Sequence, residues 1–110
     1  AVQKLPKARY IKILLAHALL ESKLADAPTR AKKILIPLTQ QDSDNTFAWR
    51  LLAIAHGKLK EDGQASLALA EEAASKGDKK MTKSFATRAK TLIKPGQPGA
   101  LRANDLLMPN

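Results

Sequence analysis

The chain has 110 residues, a formal net charge of +9 and no cysteine. That length supports one domain and a core that needs no staples, and the missing thiols exclude disulfides and thiolate metal sites. No apolar run approaches the ~20 residues that cross a bilayer. Alanine, leucine and lysine dominate while aromatic and β-branched residues are few, which favours helix over strand.

Ala1 opens the chain with neither an initiator methionine nor a signal-peptide pattern, and we read the sequence as a processed or excised piece of something larger. Pro6 suits a first helical turn. From Lys7 to about Lys23 the residues are apolar on nearly all sides (Tyr10, Ile11, Ile13, Leu14, Leu15, Ala16, Leu19, Leu20), so a helix there touches neighbours on two faces. Asp26 and Pro28 mark a second start, with Asp26 or Thr29 as caps. The second helix carries Ala31, Ile34, Leu35 and Leu38, and Pro37 predicts a kink or an early end, because it removes a donor and clashes with the preceding turn. Residues 41–46 form a polar break.

The third helix runs from about Thr46 to Leu59. Its periodicity puts Ala48, Trp49, Leu52, Ala55, His56 and Leu59 on one arc and Phe47, Arg50, Ile54, Gly57 and Lys58 on the other. A turn at 60–63 leads to an alanine-rich fourth helix over about Gly63–Lys76. Gly77 and Asp78 supply a C-cap and a new N-cap. The fifth helix reaches about Lys94, with Met81, Phe85, Ala89 and Leu92 as its apolar stripe. A short sixth helix spans about Pro98–Leu107. Six helices joined by short turns form three antiparallel pairs, about 6–41, 46–76 and 78–107, in a single domain.

Three passes of one pattern run through the chain. Trp49, Leu52, Ala53, His56, Ala65 and Leu69 make the fullest. Leu15, Ala16, Leu19, Ala31 and Leu35 make an earlier one. Leu69, Ala70, Ala73, Gly77, Thr82, Ala86 and Ala89 make a later one, sharing the helix 63–76 with its predecessor. Small residues stand where helices cross closely and large ones fill the space between hairpins. The order resembles tetratricopeptide repeats, which implies an all-α superhelix of stacked helical hairpins. A narrower likeness covers Ala48–Leu107, through Thr91-Leu92-Ile93-Lys94-Pro95-Gly96 and Leu101-Arg102-Ala103-Asn104-Asp105-Leu106-Leu107. It is similar to the helical tail of bacterial periplasmic zinc metalloproteases of the beta-barrel assembly-enhancing type.

That resemblance implies a periplasmic, non-catalytic interaction module. Its zinc would belong to an HExxH protease domain outside this sequence, and no cofactor is expected here: the chain has no HExxH, and its two histidines, His17 and His56, lie far apart. The first helices of such hairpins line a concave groove. Carried over, that groove presents Tyr10, Ile13 and His17, then Phe47, Arg50, Ile54 and Lys58, then Gln64, Leu67 and Glu71. It suits an extended peptide, the parent's own protease domain or an outer-membrane assembly component; the same face can instead be covered by the rest of the parent.

Other chemistry finds little footing. His56 takes a slot usually filled by tyrosine and reads first as a packed histidine at a helix crossing; His17 reads first as a surface side chain. Glu71 and Glu72 are adjacent on a helix, point about 100° apart and do not converge. There is no Ser/His/Asp or Cys/His set and no phosphate-binding glycine loop, so catalysis by this chain alone has no residues to carry it. Basic residues concentrate in 1–40 and 63–96. Lys79, Lys83, Lys90 and Lys94 form a stripe opposite Met81, Phe85 and Leu92. A solvated helix back is the first reading. The alternative is a basic domain that binds nucleic acid or an anionic surface, although no aromatic residue interleaves the lysines.

Overall fold

The structure, a computed structural model, describes residues 6–109. Six helices follow in order: α1 (Lys7–Glu21), α2 (Ala27–Gln41), α3 (Thr46–Lys58), α4 (Asp62–Ser75), α5 (Lys79–Leu92) and α6 (Ala100–Leu107). No strand occurs among the described residues. The fold is all-α, and sequential helices pack against one another as in a superhelix of helical hairpins.

Local chemistry explains most boundaries. Asn45 Oδ1 accepts the Ala48 N–H at 3.0 Å and Asp78 Oδ1 accepts the Met81 N–H at 3.0 Å, so α3 and α5 begin on side-chain caps. Asp26 occupies the N-cap of α2, but its side chain makes no cap bond. α1 ends at Glu21, two residues before Lys23, and the hydroxyl of its C-cap Ser22 donates to the Leu19 carbonyl at 2.8 Å. Pro37 does not end α2, which continues to Gln41. The residue is exposed, so water can serve the carbonyl that its ring leaves without a donor.

The helices fall into two three-helix units. In the first, α1, α2 and α3 all touch; in the second, α4, α5 and α6 do. The α3–α4 hairpin joins them, and α3 and α5 do not approach each other. Arg50 near the start of α3 meets Glu72 near the end of α4, as antiparallel neighbours must. Gln64, Leu67 and Glu71 of α4 meet Pro98, Gly99 and Arg102 in the same order, so α4 and α6 run side by side in parallel. One helix thus closes one hairpin and opens the next. The smallest dimension of the molecule, 21 Å, is two helices thick.

The larger core gathers Ile13, Ala16, Leu19 and Leu20 of α1, Ala27, Ala31, Leu35 and Leu38 of α2, and Ala48, Leu51, Leu52, Ala53 and Ala55 of α3. A second cluster joins Ala89, Ile93 and Ala103, with Leu67 and Ala100 packed against it. The arcs of α3 fall as its periodicity requires: Ala48, Leu52, Ala55 and His56 are buried, whereas Phe47, Arg50, Ile54, Gly57 and Lys58 are exposed. The expected stripe of α5 does so only in part: Ala89 is buried and Phe85 half-buried, while Met81 and Leu92 are 40 % and 46 % exposed, and Thr82 and Ala86 are buried in their place. Small side chains let α5 come close to α4, and Met81 and Leu92 turn outward.

Gly99 makes the sharp entry to α6, with φ of +92° and with Leu67 Cδ2 2.8 Å from where a Cβ would stand. Gly57 is helical, exposed and has nothing within 4 Å of that place. In urea unfolding, Gly99→Ala should cost about 1–3 kcal/mol through left-handed strain and overlap with Leu67. Gly57→Ala should stabilise by about 0.5–1 kcal/mol.

Candidate functional site

The expected groove residues separate into three groups. Tyr10 and His17 lie on one line of α1, seven residues apart; Tyr10 is 55 % exposed and His17 is half-buried. The His17 ring packs at right angles to Phe47 on α3, with centroids 5.6 Å apart and planes at 83°, and its Nε2 donates to Glu21 at 2.7 Å. Phe47 and Ile54 share a line of α3 at 46 % and 41 % exposure, with Lys58 one turn on. Tyr10, His17, Phe47, Ile54 and Lys58 therefore form an open strip across two neighbouring helices.

Arg50 borders this strip but is already engaged. Its Nε donates to Glu72 Oε2 at 2.8 Å, and Lys76 Nζ lies 3.1 Å from the same oxygen. The Glu72 side chain is buried while both cations are half-exposed. Burial opposes ionisation of Glu72, but the hydrogen bonds and charges of Arg50 and Lys76 outweigh it and hold the carboxyl below its ordinary range. The same pairing raises the Arg50 guanidinium.

Four other residues leave the groove. Ile13 is 4 % exposed and belongs to the core. Gln64 Nε2 donates to the Pro98 carbonyl at 2.8 Å, Leu67 packs into the second cluster beneath Gly99, and Glu71 takes a two-pronged contact from Arg102 Nε and Nη2 at 2.7 Å each. For the three on α4 the cause is α6, which lies along that side of α4 and covers it.

His56 is a clasp. Its Nδ1–H donates to Glu61 at 2.8 Å, and Lys32 Nζ reaches both oxygens of that carboxylate at 3.2 and 3.1 Å. The trio ties α2 and α3 to the turn before α4. Burial again works against ionisation of Glu61, and His56 and Lys32 more than offset it, leaving the carboxyl lowered.

Lys79, Lys83 and Lys90 are exposed along α5, but Lys94 lies past the helix end at Leu92. Lys79 and Lys83 flank a cleft of about 590 Å³ shared with Thr82, Arg102, Asp105 and Leu106. A second cleft, about 550 Å³, lies between Trp49, Ser43, Glu71 and Arg102. The Trp49 indole N–H donates to the Ser43 carbonyl at 2.8 Å, so this tryptophan is anchored to its own helix entry. Among the described residues no three metal-ligating side chains come together, and both histidines are held by glutamates.

Sequence reasoning missed the pairing partners of Arg50 and Glu71. Those contacts span 22 and 31 residues, and no local pattern signals them. It also expected α1 to touch neighbours on two faces, whereas Ile11, Leu14 and Leu15 on its outer face are about half exposed.

No protein-family model matches the chain, and no curated protein matches it significantly. The likeness to tetratricopeptide repeats and to a metalloprotease tail rests on the residues quoted above.

The lowered Glu72 carboxyl makes stability depend on pH. A folded-state pKa below the ordinary 4.5 stabilises the protein above that value, and the gain disappears as pH falls through the depressed one. Glu72→Gln should therefore cost about 1 kcal/mol at pH 7. Urea midpoints of the two proteins should converge below pH 4.5; a constant gap would show that the charge of Glu72 contributes nothing.

Proposed function

We propose that this chain is a protein-interaction module, the non-catalytic repeat tail of a zinc-dependent metalloprotease of the bacterial periplasm. In this reading it docks the protease domain or recruits protein substrates beside outer-membrane assembly machinery. One observation carries the surface assignment: Tyr10, Phe47 and Ile54 are each roughly half exposed on adjacent helices, joined through His17 and bordered by Lys58. Aromatic and aliphatic groups beside a lysine are what an extended apolar segment needs from a binding surface. The residue order of Ala48–Leu107 supports the parentage. In this reading the zinc belongs to an HExxH protease domain outside this sequence.

The binding test must spare Arg50, whose reversal would set a carboxylate against buried Glu72. Ile54→Asp with Lys58→Glu changes only exposed positions. Affinity for the isolated HExxH domain, or for an unfolded β-barrel outer-membrane polypeptide, should fall at least tenfold, about 1.4 kcal/mol, with an unchanged melting temperature. If the unaltered chain bound neither probe in fluorescence anisotropy, the reading would fail.

The exposed lysines of α5 keep an anionic-surface reading open to a direct check. Their side chains have no aromatic partner among them, so any binding should be purely electrostatic. Duplex DNA should bind only at low salt and be lost by ~150 mM. Retention at that salt would favour the nucleic-acid alternative.

A further inference from the structure

The outer face of α1 has no partner in the fold. Ile11, Leu14 and Leu15 are 54 %, 47 % and 48 % exposed, and Ala18 beside them is exposed as well. Their i, i+3, i+4, i+7 spacing makes a single apolar stripe.

The internal repeat shows what such a stripe does. Leu15 and Leu52 hold the same place in successive passes, an offset of 37 residues. That offset carries Ile11, Leu14, Leu15 and Ala18 onto Ala48, Leu51, Leu52 and Ala55. These four are 0 %, 2 %, 5 % and 0 % exposed, enclosed in one cluster with residues of the preceding helices α1 and α2. The same surface of the repeat is a packing seam in α3 and open in α1.

Its size bears on what can fill it. Three half-exposed aliphatic side chains and an alanine offer a few hundred Å² at most, against roughly 800 Å² per partner in a stable complex. A separate molecule, a second copy included, gains too little there to offset its lost freedom. A segment tethered to α1 does not face that cost, because its effective concentration is on the order of millimolar.

We propose that the outer face of α1 seats a further helical hairpin of the same repeat type, carried by the same polypeptide on the N-terminal side of α1. It covers Ile11, Leu14, Leu15 and Ala18 as α1 and α2 cover Ala48, Leu51, Leu52 and Ala55. Ile11 stands where α3 has the smaller Ala48, so the incoming helix presents a small residue opposite it. The inference is independent of whether the polypeptide is a protease.

The chain has no cysteine, so one introduced thiol gives an unambiguous signal. Leu15→Cys and Leu14→Cys alter half-exposed positions, and Lys90→Cys on α5 is the exposed reference. In the natural full-length polypeptide, maleimide should label the two α1 thiols at least about tenfold more slowly than the reference, at a rate independent of protein concentration. Labelling as fast as the reference would overturn the proposal. So would slowing that appears only as protein concentration rises, which would identify a second copy as the occupant.

Discussion

Two helices come within about 8–10 Å only where the side chains between them allow it. Here alanine allows it. Ala16, Ala31, Ala48, Ala55, Ala70, Ala86, Ala89 and Ala103 are fully enclosed, and they lie on every helix of the array. Each removes little apolar area from water, so no single contact contributes much. Their effect is geometric: they set the distance at which Leu35, Leu51 and Leu52 can interlock and which helices can be neighbours at all. α5 shows the constraint most plainly, since it presents Thr82, Ala86 and Ala89 inward.

A core lined so largely by alanine leaves orientation to polar groups. Three glutamates supply it. Glu61 gathers Lys32 and His56, Glu72 gathers Arg50 and Lys76, and Glu71 receives Arg102. Apart from the Lys76 bond within one hairpin end, each joins separate elements. Arg50, Lys76 and Arg102 are about half exposed, so their pairs contribute only modestly to stability, whereas Lys32 and His56 are more enclosed. The directional bonds nevertheless choose among the orientations that close alanine packing would tolerate. They also take Arg50 and Glu71 out of the set of groups available to a partner, as the bond to the Pro98 carbonyl does for Gln64, and what remains open is the strip from Tyr10 to Lys58.

The helices were legible because their start and stop signals are local: Asn45 and Asp78 cap in place, and glycine follows α4 and precedes α6. The two arcs of α3 were legible from periodicity alone. The burial of α5 was legible only through the repeat pattern, in which Thr82, Ala86 and Ala89 are matching positions. Hydropathy pointed instead to Met81, Phe85 and Leu92, because a face of threonine and alanine gives it almost no signal. The early end expected at Pro37 does not occur, because the rule against proline in a helix weakens where water can reach the freed carbonyl. The candidate groove was half legible. Phe47, Ile54 and Lys58 follow from the arcs of α3, but the loss of Gln64, Leu67 and Glu71 depends on α6, about 31–34 residues away.

The two three-helix units use one slot in two ways. His17 and Glu71 hold equivalent places, as the alignment of Leu15-Ala16 with Leu69-Ala70 requires. Ile13 and Leu67 are equivalent as well, and both turn inward at the crossing, so this groove position is structural in each unit. At the next position the chemistry diverges. Glu71 meets a guanidinium in a matched two-pronged contact that fastens α6 over α4. His17 packs at right angles to Phe47 and pairs with Glu21 of its own helix, which leaves Phe47 46 % exposed. Neither contact brings another helix over the surface, whereas the Arg102 fork on Glu71 does. One geometric slot therefore closes the surface in the second unit and keeps it available in the first, and that difference places the candidate binding strip on α1 and α3 rather than on α4.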